Sequence, residues 1–169
     1  MNKNNIISGV IIAVLLLGGV VWVTLSSGDS RTNKTPVASS SKGKLTLPEA
    51  NYDFGTISMA KGNVSHIFKV KNEGPETVNL SRLYTSCMCT TATLKVKGSQ
   101  DGPFGMQGHG FVPLISRDLK SGEEAEVEAI FDPTAHGPAG VGKIERVIML
   151  ENNTSDNPIS INFSANVTP

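Results

Sequence analysis

The sequence is poor in aromatic residues and has no excess of either charge. Aromatic side chains make up 5% of its 169 residues, and 15 lysine and arginine residues balance 15 aspartate and glutamate residues. This balance leaves no basic stripe of the kind that nucleic-acid-binding domains carry, so we exclude nucleic acid as a partner. The 17 glycines and 9 prolines favour a turn-rich β protein over a helical one.

Cysteine is nearly absent, and the common catalytic motifs are missing. The only two cysteines, Cys87 and Cys89, are separated by Met88. The sequence has no C-x-x-C, G-x-S-x-G or H-E-x-x-H motif, which are the spacings expected of redox, hydrolase and metalloprotease sites. We therefore predict a protein that is not an enzyme.

One long hydrophobic run is present at the N-terminus. The stretch 6–25, IISGVIIAVLLLGGVVWVTL, carries no charge and is about as long as a helix needs to cross ~30 Å of hydrocarbon. We predict a cytoplasmic tail at 1–5, a transmembrane anchor at 6–26, a flexible polar linker at 27–43 and an extracytoplasmic domain at 44–169. The chain is then a single-pass protein of the cell membrane. A cleaved signal peptide is the alternative, although no clear cleavage site follows the run.

After residue 43 the sequence reads as short strands separated by turns. Period-two alternation, typical of half-buried strands, is clearest at 64–72 and 124–131. The predicted strands are 44–47, 51–57, 64–72, 77–85, 89–96, 111–116, 124–131, 143–150 and 158–167. Two glycine-rich loops, 97–110 and 132–142, each carry one histidine. This pattern predicts an all-β, immunoglobulin-like antiparallel β-sandwich of seven to nine strands.

Four aromatic residues and one histidine belong to the predicted core. We expect Tyr52, Phe54, Phe68 and Phe131 to pack between the sheets. His66 shares a strand face with Phe68 because residues i and i+2 of a strand point the same way. We therefore predict that His66 is part of the core or supports it.

An ordered series of motifs resembles a bacterial family. The motifs are YDFGTI at 52–57, VSHIFKVKNEG at 64–74, SCMCTTA at 86–92 and SGEEAEVEAIFDP at 121–133. Together they resemble the domain-of-unknown-function family 1573 (DUF1573) over about residues 48–167. The resemblance implies an Ig-like module akin to ASH and Hydin domains in the bacterial envelope, without an established activity. Met88 stands where the family usually has glycine, and the 97–110 loop resembles an insertion.

The two cysteines favour a soft-metal site over a bond to each other. If both lie in a strand, their Cα atoms are ~6.6 Å apart on one face, at the long limit for a disulfide. Two thiolates on one face suit Cu(I) as ligands, and with an imidazole as a further ligand the metal can be copper or zinc. The predicted ligands are Cys87, Cys89, Met106, His109 and His136. Alternation sends Met88 to the opposite face.

Other interpretations of the cysteines stay open. Both can be buried structural thiols, which pack as small hydrophobes, or they can pair with another molecule. A simple meander also places the cysteines and the two histidine loops at opposite ends of the sandwich, ~20 Å apart for a six-residue strand. The 97–110 loop is nevertheless long enough to fold back.

These observations predict a binding module of the cell envelope with a site for copper or zinc. The alternative is a metal-free scaffold that binds envelope proteins, for example through an exposed edge strand. A thiol–disulfide enzyme is disfavoured because no C-x-x-C motif or helix N-terminus is present to lower a thiol pKa. The oligomeric state is left open.

Overall fold

The computed structural model describes residues 43–169, which form ten strands and two short 3-10 turns. The strands are β1 Leu45–Thr46, β2 Asn51–Ser58, β3 Val64–Asn72, β4 Val78–Thr85, β5 Thr90–Val96, β6 Ser99–Phe104, β7 Arg117–Leu119, β8 Glu124–Phe131, β9 Gly142–Asn152 and β10 Ile159–Thr168. The 3-10 turns are Met59–Lys61 and Gly137–Gly140. The predicted all-β class is confirmed, with one strand more than the upper end of the expected range.

The strands form two five-stranded sheets. One sheet has the order β1-β3-β8-β5-β6 and the other the order β2-β10-β9-β4-β7. Neighbouring strands are antiparallel except β2 and β10, which are parallel. The chain therefore crosses repeatedly between the sheets and does not follow a simple meander.

Alternating side chains build the core between the sheets. In β8, Ala125, Val127 and Ala129 are fully buried while the intervening glutamates face outward. In β3, Phe68 is fully buried, whereas its neighbour Ile67 is exposed. This matches the period-two prediction, because successive strand residues point to opposite faces.

The predicted aromatic core is confirmed, with Phe68 and Phe131 buried and the other members at its margin. Tyr52 and Phe54 are half-buried and pack against the core. His66 stacks on Tyr52 with ring centroids 3.5 Å apart, and its Nε2 lies 2.7 Å from Glu49 Oε2. His66 therefore supports the core from its edge, as its position beside Phe68 predicted.

One buried polar residue, Asn72, joins several segments at the end of β3. Its side-chain Nδ2 donates to the carbonyl oxygens of Glu76 and Leu119 at 2.7 and 2.9 Å. Its Oδ1 accepts from the backbone N–H groups of Gly74 and Lys44 at 3.0 and 3.3 Å. Asn72 is fully buried, and these bonds satisfy both ends of its amide, as burial requires.

The sequence prediction was wrong between residues 97 and 119. The predicted strand at 111–116 is not a strand, and the predicted loop at 97–110 contains β6. Lys97 and Gly98 both have positive φ (51° and 80°), as a two-residue type I′ hairpin turn requires. β6 and β7 are edge strands, and neither shows a clear alternation of buried and exposed residues, which is the pattern by which a strand is identified.

The predicted tail, anchor and linker lie outside the described residues. Within residues 43–169, no helix is long and apolar enough to cross a membrane.

Candidate functional site

The two cysteines lie in the tight connection between β4 and β5, not in a strand. β4 ends at Thr85 and β5 begins at Thr90, so the predicted strand at 89–96 began one residue too early. The turn brings the Cα atoms of Cys87 and Cys89 to 5.3 Å, and the two sulfurs form a disulfide. The prediction that they hardly bond to each other is therefore wrong, because it assumed the wider spacing of an extended strand.

A buried threonine hydroxyl holds this turn in shape. Thr85 Oγ1 lies 3.0 Å from the carbonyl oxygens of both Cys87 and Thr90. The Thr90 N–H also donates to the Cys87 carbonyl at 3.1 Å. The peptide groups around the disulfide are thus paired locally, which fixes where the two sulfurs point.

His136 reaches the disulfide from the loop that follows β8. Because β5 and β8 are antiparallel, the start of β5 lies beside the end of β8, and the Asp132 N–H donates to the Cys89 carbonyl at 2.9 Å. The loop then turns at Asp132, whose Oδ1 accepts from the Thr134 N–H at 2.8 Å. This places His136 Nε2 3.2 Å from Cys87 Sγ. The expected ~20 Å separation is wrong because it assumed a meander.

Arg146 contacts the other sulfur and is the site residue that the sequence prediction missed. Its Nε donates to Cys89 Sγ at 3.1 Å, and one terminal nitrogen donates to the Glu145 carbonyl at 2.7 Å. Burial lowers the pKa of Arg146, since removal from water disfavours the charged guanidinium. A sequence signal was present, because Arg146 shares its strand face with Ile148 and Leu150, which are both buried.

The predicted metal ligands divide into two groups. Cys87, Cys89 and His136 come together, with one ligand atom from each lying within 4.8 Å of the others. His109 is exposed and lies outside this cluster. Met106 is half-buried, and its backbone forms a bridge with Thr85, so the 97–110 segment does fold back toward the turn. The exposed side chain of Met88 points away from the core.

The chemistry of the cluster depends on its oxidation state. As a disulfide, the two sulfurs offer no thiolate to a metal ion. After reduction, two thiols and one imidazole stand at one corner of the sandwich, which is a donor set suited to Cu(I) and, with a further ligand, to zinc. Metal ligands must be deprotonated, so reduction precedes any metal binding at this place.

Part of the chain matches a known family model. Residues 32–104 match the family described as "Protein of unknown function (DUF1573)". This confirms the family resemblance and covers the motifs at 52–57, 64–74 and 86–92, whereas the motif at 121–133 lies beyond the matched segment. The matched segment contains both cysteines. No curated protein matches the sequence.

A solved structure shares the fold at low sequence identity, and two others are similar at lower TM-scores. A protein of unknown function from Porphyromonas gingivalis is similar with a TM-score of 0.55 and 16% identity, covering 79% of this chain and 51% of that chain. The present chain therefore spans about half of that protein's length. An ASH/PapD-like domain of human CEP192 is similar with a TM-score of 0.46, 14% identity and coverages of 79% and 91%. The CooA pilin subunit from enterotoxigenic Escherichia coli has a TM-score of 0.43, 12% identity and coverages of 75% and 99%.

Proposed function

From the hydrophobic run at 6–25, the two-sheet fold and the cluster of Cys87, Cys89 and His136, we propose that the chain is a membrane-anchored, extracytoplasmic Ig-like binding module. Its binding site for a soft metal is the reduced cluster of Cys87, Cys89 and His136. The proposed role of the module is to hold a ligand and not to catalyse a reaction. We expect the anchor predicted at 6–26 and the linker predicted at 27–43 to hold the sandwich at the outer face of the membrane.

The single observation that supports the metal site is the convergence of three ligand atoms within 4.8 Å. They come from two distant segments, the β4–β5 turn and the loop after β8. Thiolate and imidazole are the ligands that Cu(I) and zinc prefer. Two thiolates and one imidazole leave one position of a tetrahedral zinc ion for water or for a further protein ligand.

A metal-free protein-interaction module is the second candidate function. It is favoured by the segment between β6 and β7, in which Phe111 and Leu114 are 90% and 71% exposed. Large apolar side chains held in water are typical of surfaces that bind another protein. On this interpretation, the cysteines stabilise the turn and take no part in binding.

Metal content of the reduced protein distinguishes the two functions. The full chain, purified in detergent, is reduced, freed of metal, titrated anaerobically with Cu(I) or Zn²⁺ and analysed by mass spectrometry. We expect about one ion per chain in the wild type, loss of binding in Cys87→Ser and weaker binding in His136→Ala. His109→Ala is the matched control, since that imidazole lies outside the cluster.

Two results would contradict the metal site. One is the absence of stoichiometric metal from the reduced wild-type protein. The other is equal loss of affinity in His136→Ala and His109→Ala, because only one of these histidines contacts Cys87. Either result leaves the metal-free module as the proposed function.

A further inference from the structure

The two sulfurs of the disulfide differ in their access to solvent. Cys89 is only 2% exposed, whereas Cys87 is half-buried. A thiolate from outside must reach one sulfur in order to open the bond. Only Cys87 offers that access, so Cys89 is the sulfur that leaves.

The leaving sulfur already has a cationic hydrogen-bond donor. Arg146 Nε lies 3.1 Å from Cys89 Sγ, on the strand face that also carries the buried Ile148 and Leu150. A neutral disulfide sulfur is a weak acceptor, while a thiolate accepts a charge-assisted bond of roughly twice the ordinary strength. The contact is therefore stronger after the bond opens than before it.

We propose that the Cys87–Cys89 disulfide takes part in thiol–disulfide exchange with a dithiol-bearing protein, with attack at Cys87 and Cys89 as the leaving group beside Arg146. The reaction is stoichiometric, with the domain as electron acceptor. It requires no metal and therefore goes beyond the proposed binding function. Where both hold, exchange is the step that exposes the metal ligands.

The exchange balances in two steps. In the first, a partner thiolate forms a bond to Cys87 Sγ, the Cys87–Cys89 bond breaks, and its electron pair stays on Cys89 as a thiolate. In the second, the partner's other thiolate attacks its own sulfur in the mixed disulfide and releases Cys87. The partner dithiol becomes a disulfide, two electrons pass to the domain, and the two protons of the partner's thiols end on the domain's thiols or in water.

Arg146 provides the positive charge next to a cysteine that the sequence analysis did not find. A redox-active cysteine is commonly stabilised as a thiolate by a helix N-terminus or by a neighbouring cation. No α-helix occurs among the residues that the structure describes, and the guanidinium takes that place. Met88, 57% exposed between the two cysteines, gives an incoming protein an apolar surface next to the attacked sulfur.

Reduction kinetics test the role of Arg146. The full chain is kept free of zinc with EDTA and free of Cu(I) with bathocuproine disulfonate, reduced with dithiothreitol and quenched by alkylation, and the reduced fraction is followed by mass. We expect Arg146→Gln to lower the rate constant about tenfold, because the leaving thiolate loses its donor, and Arg146→Lys to recover part of it. Arg82→Gln, which removes a partly buried arginine paired with Glu151, should match the wild type.

The two single-cysteine variants test the site of attack. With Cys89→Ser, the remaining Cys87 thiol should react with glutathione disulfide at least about tenfold faster than the Cys89 thiol that remains in Cys87→Ser, since exposure controls access. Faster reaction at Cys89 overturns the assignment. An unchanged reduction rate in Arg146→Gln, in a variant whose circular dichroism matches the wild type, overturns the role of the guanidinium. Because chelators for zinc and for Cu(I) are present throughout, neither result depends on metal binding.

Discussion

Replacement of Asn72 by alanine should cost more stability than any surface polar substitution in the domain. The change removes four hydrogen bonds at the end of β3, two donated by Nδ2 and two accepted by Oδ1. The groups of Glu76 and Lys44 lie in exposed residues, so water can replace those two bonds. The Leu119 carbonyl and the Gly74 N–H lie in buried residues and stay unpaired.

The expected magnitude follows from those two unpaired groups. Each buried donor or acceptor left without a partner costs about 1–3 kcal/mol, so Asn72→Ala should lower the free energy of unfolding by roughly 2–6 kcal/mol. The assay is urea unfolding of the oxidised protein, followed by circular dichroism. A fall in midpoint with an unchanged slope would indicate lost stability in the native state.

Asn79→Ala is the matched control for this substitution. Its Nδ2 donates to Ser116 Oγ and Asp118 Oδ1 at 3.0 and 2.9 Å, but both bonds are exposed. Water replaces them, so the loss should stay below about 1 kcal/mol. Equal losses in the two variants would refute the reasoning, because burial is the main difference between the two amides.

Two further predictions concern the cysteine turn and the β7–β8 turn. Thr85→Val keeps the side-chain shape but removes the hydroxyl, whose single hydrogen is shared between the carbonyl oxygens of Cys87 and Thr90. This change should lower the free energy of unfolding in urea by about 1–2 kcal/mol, whereas Thr85→Ser should keep most of the wild-type stability. Equal stability of the two variants would contradict this. The pKa of Glu123 is lowered, first by the hydrogen bond from the Lys97 side chain and then by that from the Lys120 backbone. The pKa of Glu123 is lower in the folded protein than in the unfolded chain. Glu123 therefore stabilises the fold at any pH above its unfolded pKa, and this contribution is lost as the pH falls through its folded pKa. The wild type should therefore lose more stability than Glu123→Gln as the pH falls below 4.5, and parallel pH profiles would argue against it.

The central strands were predictable from the sequence because burial leaves a periodic signal in them. The bounds of β3 and β8 agree with the sequence prediction at both ends, since their inner faces are apolar and their outer faces are charged. Two of the edge strands, β6 and β7, gave no such signal. β6 reads Ser-Gln-Asp-Gly-Pro-Phe and is largely exposed, and its Pro103 is compatible with a strand only at an edge.

The site was predictable in its residue types but not in its geometry. The two cysteines stood out by their rarity, and His136 and His109 were indistinguishable because each lies in a glycine-rich loop. Only the antiparallel pairing of β5 with β8 decides which histidine contacts Cys87. That pairing joins residues that are distant in sequence, so it cannot be predicted from local sequence patterns.

Arg146 shows a different limit of sequence reading. A charged residue at an inward strand position has a low prior probability, because a buried charge is costly without a partner. The partner here is a sulfur 57 residues away. The alternation of residues along β9 puts Arg146 on the inward face, where a charge is unusual. Only the fold shows what the guanidinium contacts.

The parallel pairing of β2 with β10 affects how the domain folds during synthesis. Asp53 and Ser164 are 111 residues apart in the chain, yet they lie side by side in that ladder. Contacts between such distant residues form slowly, and during synthesis β2 must wait, unpaired, until β10 has left the ribosome. Among residues 43–169, β10 is the only strand that pairs with β2. A chain that stops before Ile159 thus loses two strands from this sheet, one never made and one made early but left without a place to bind.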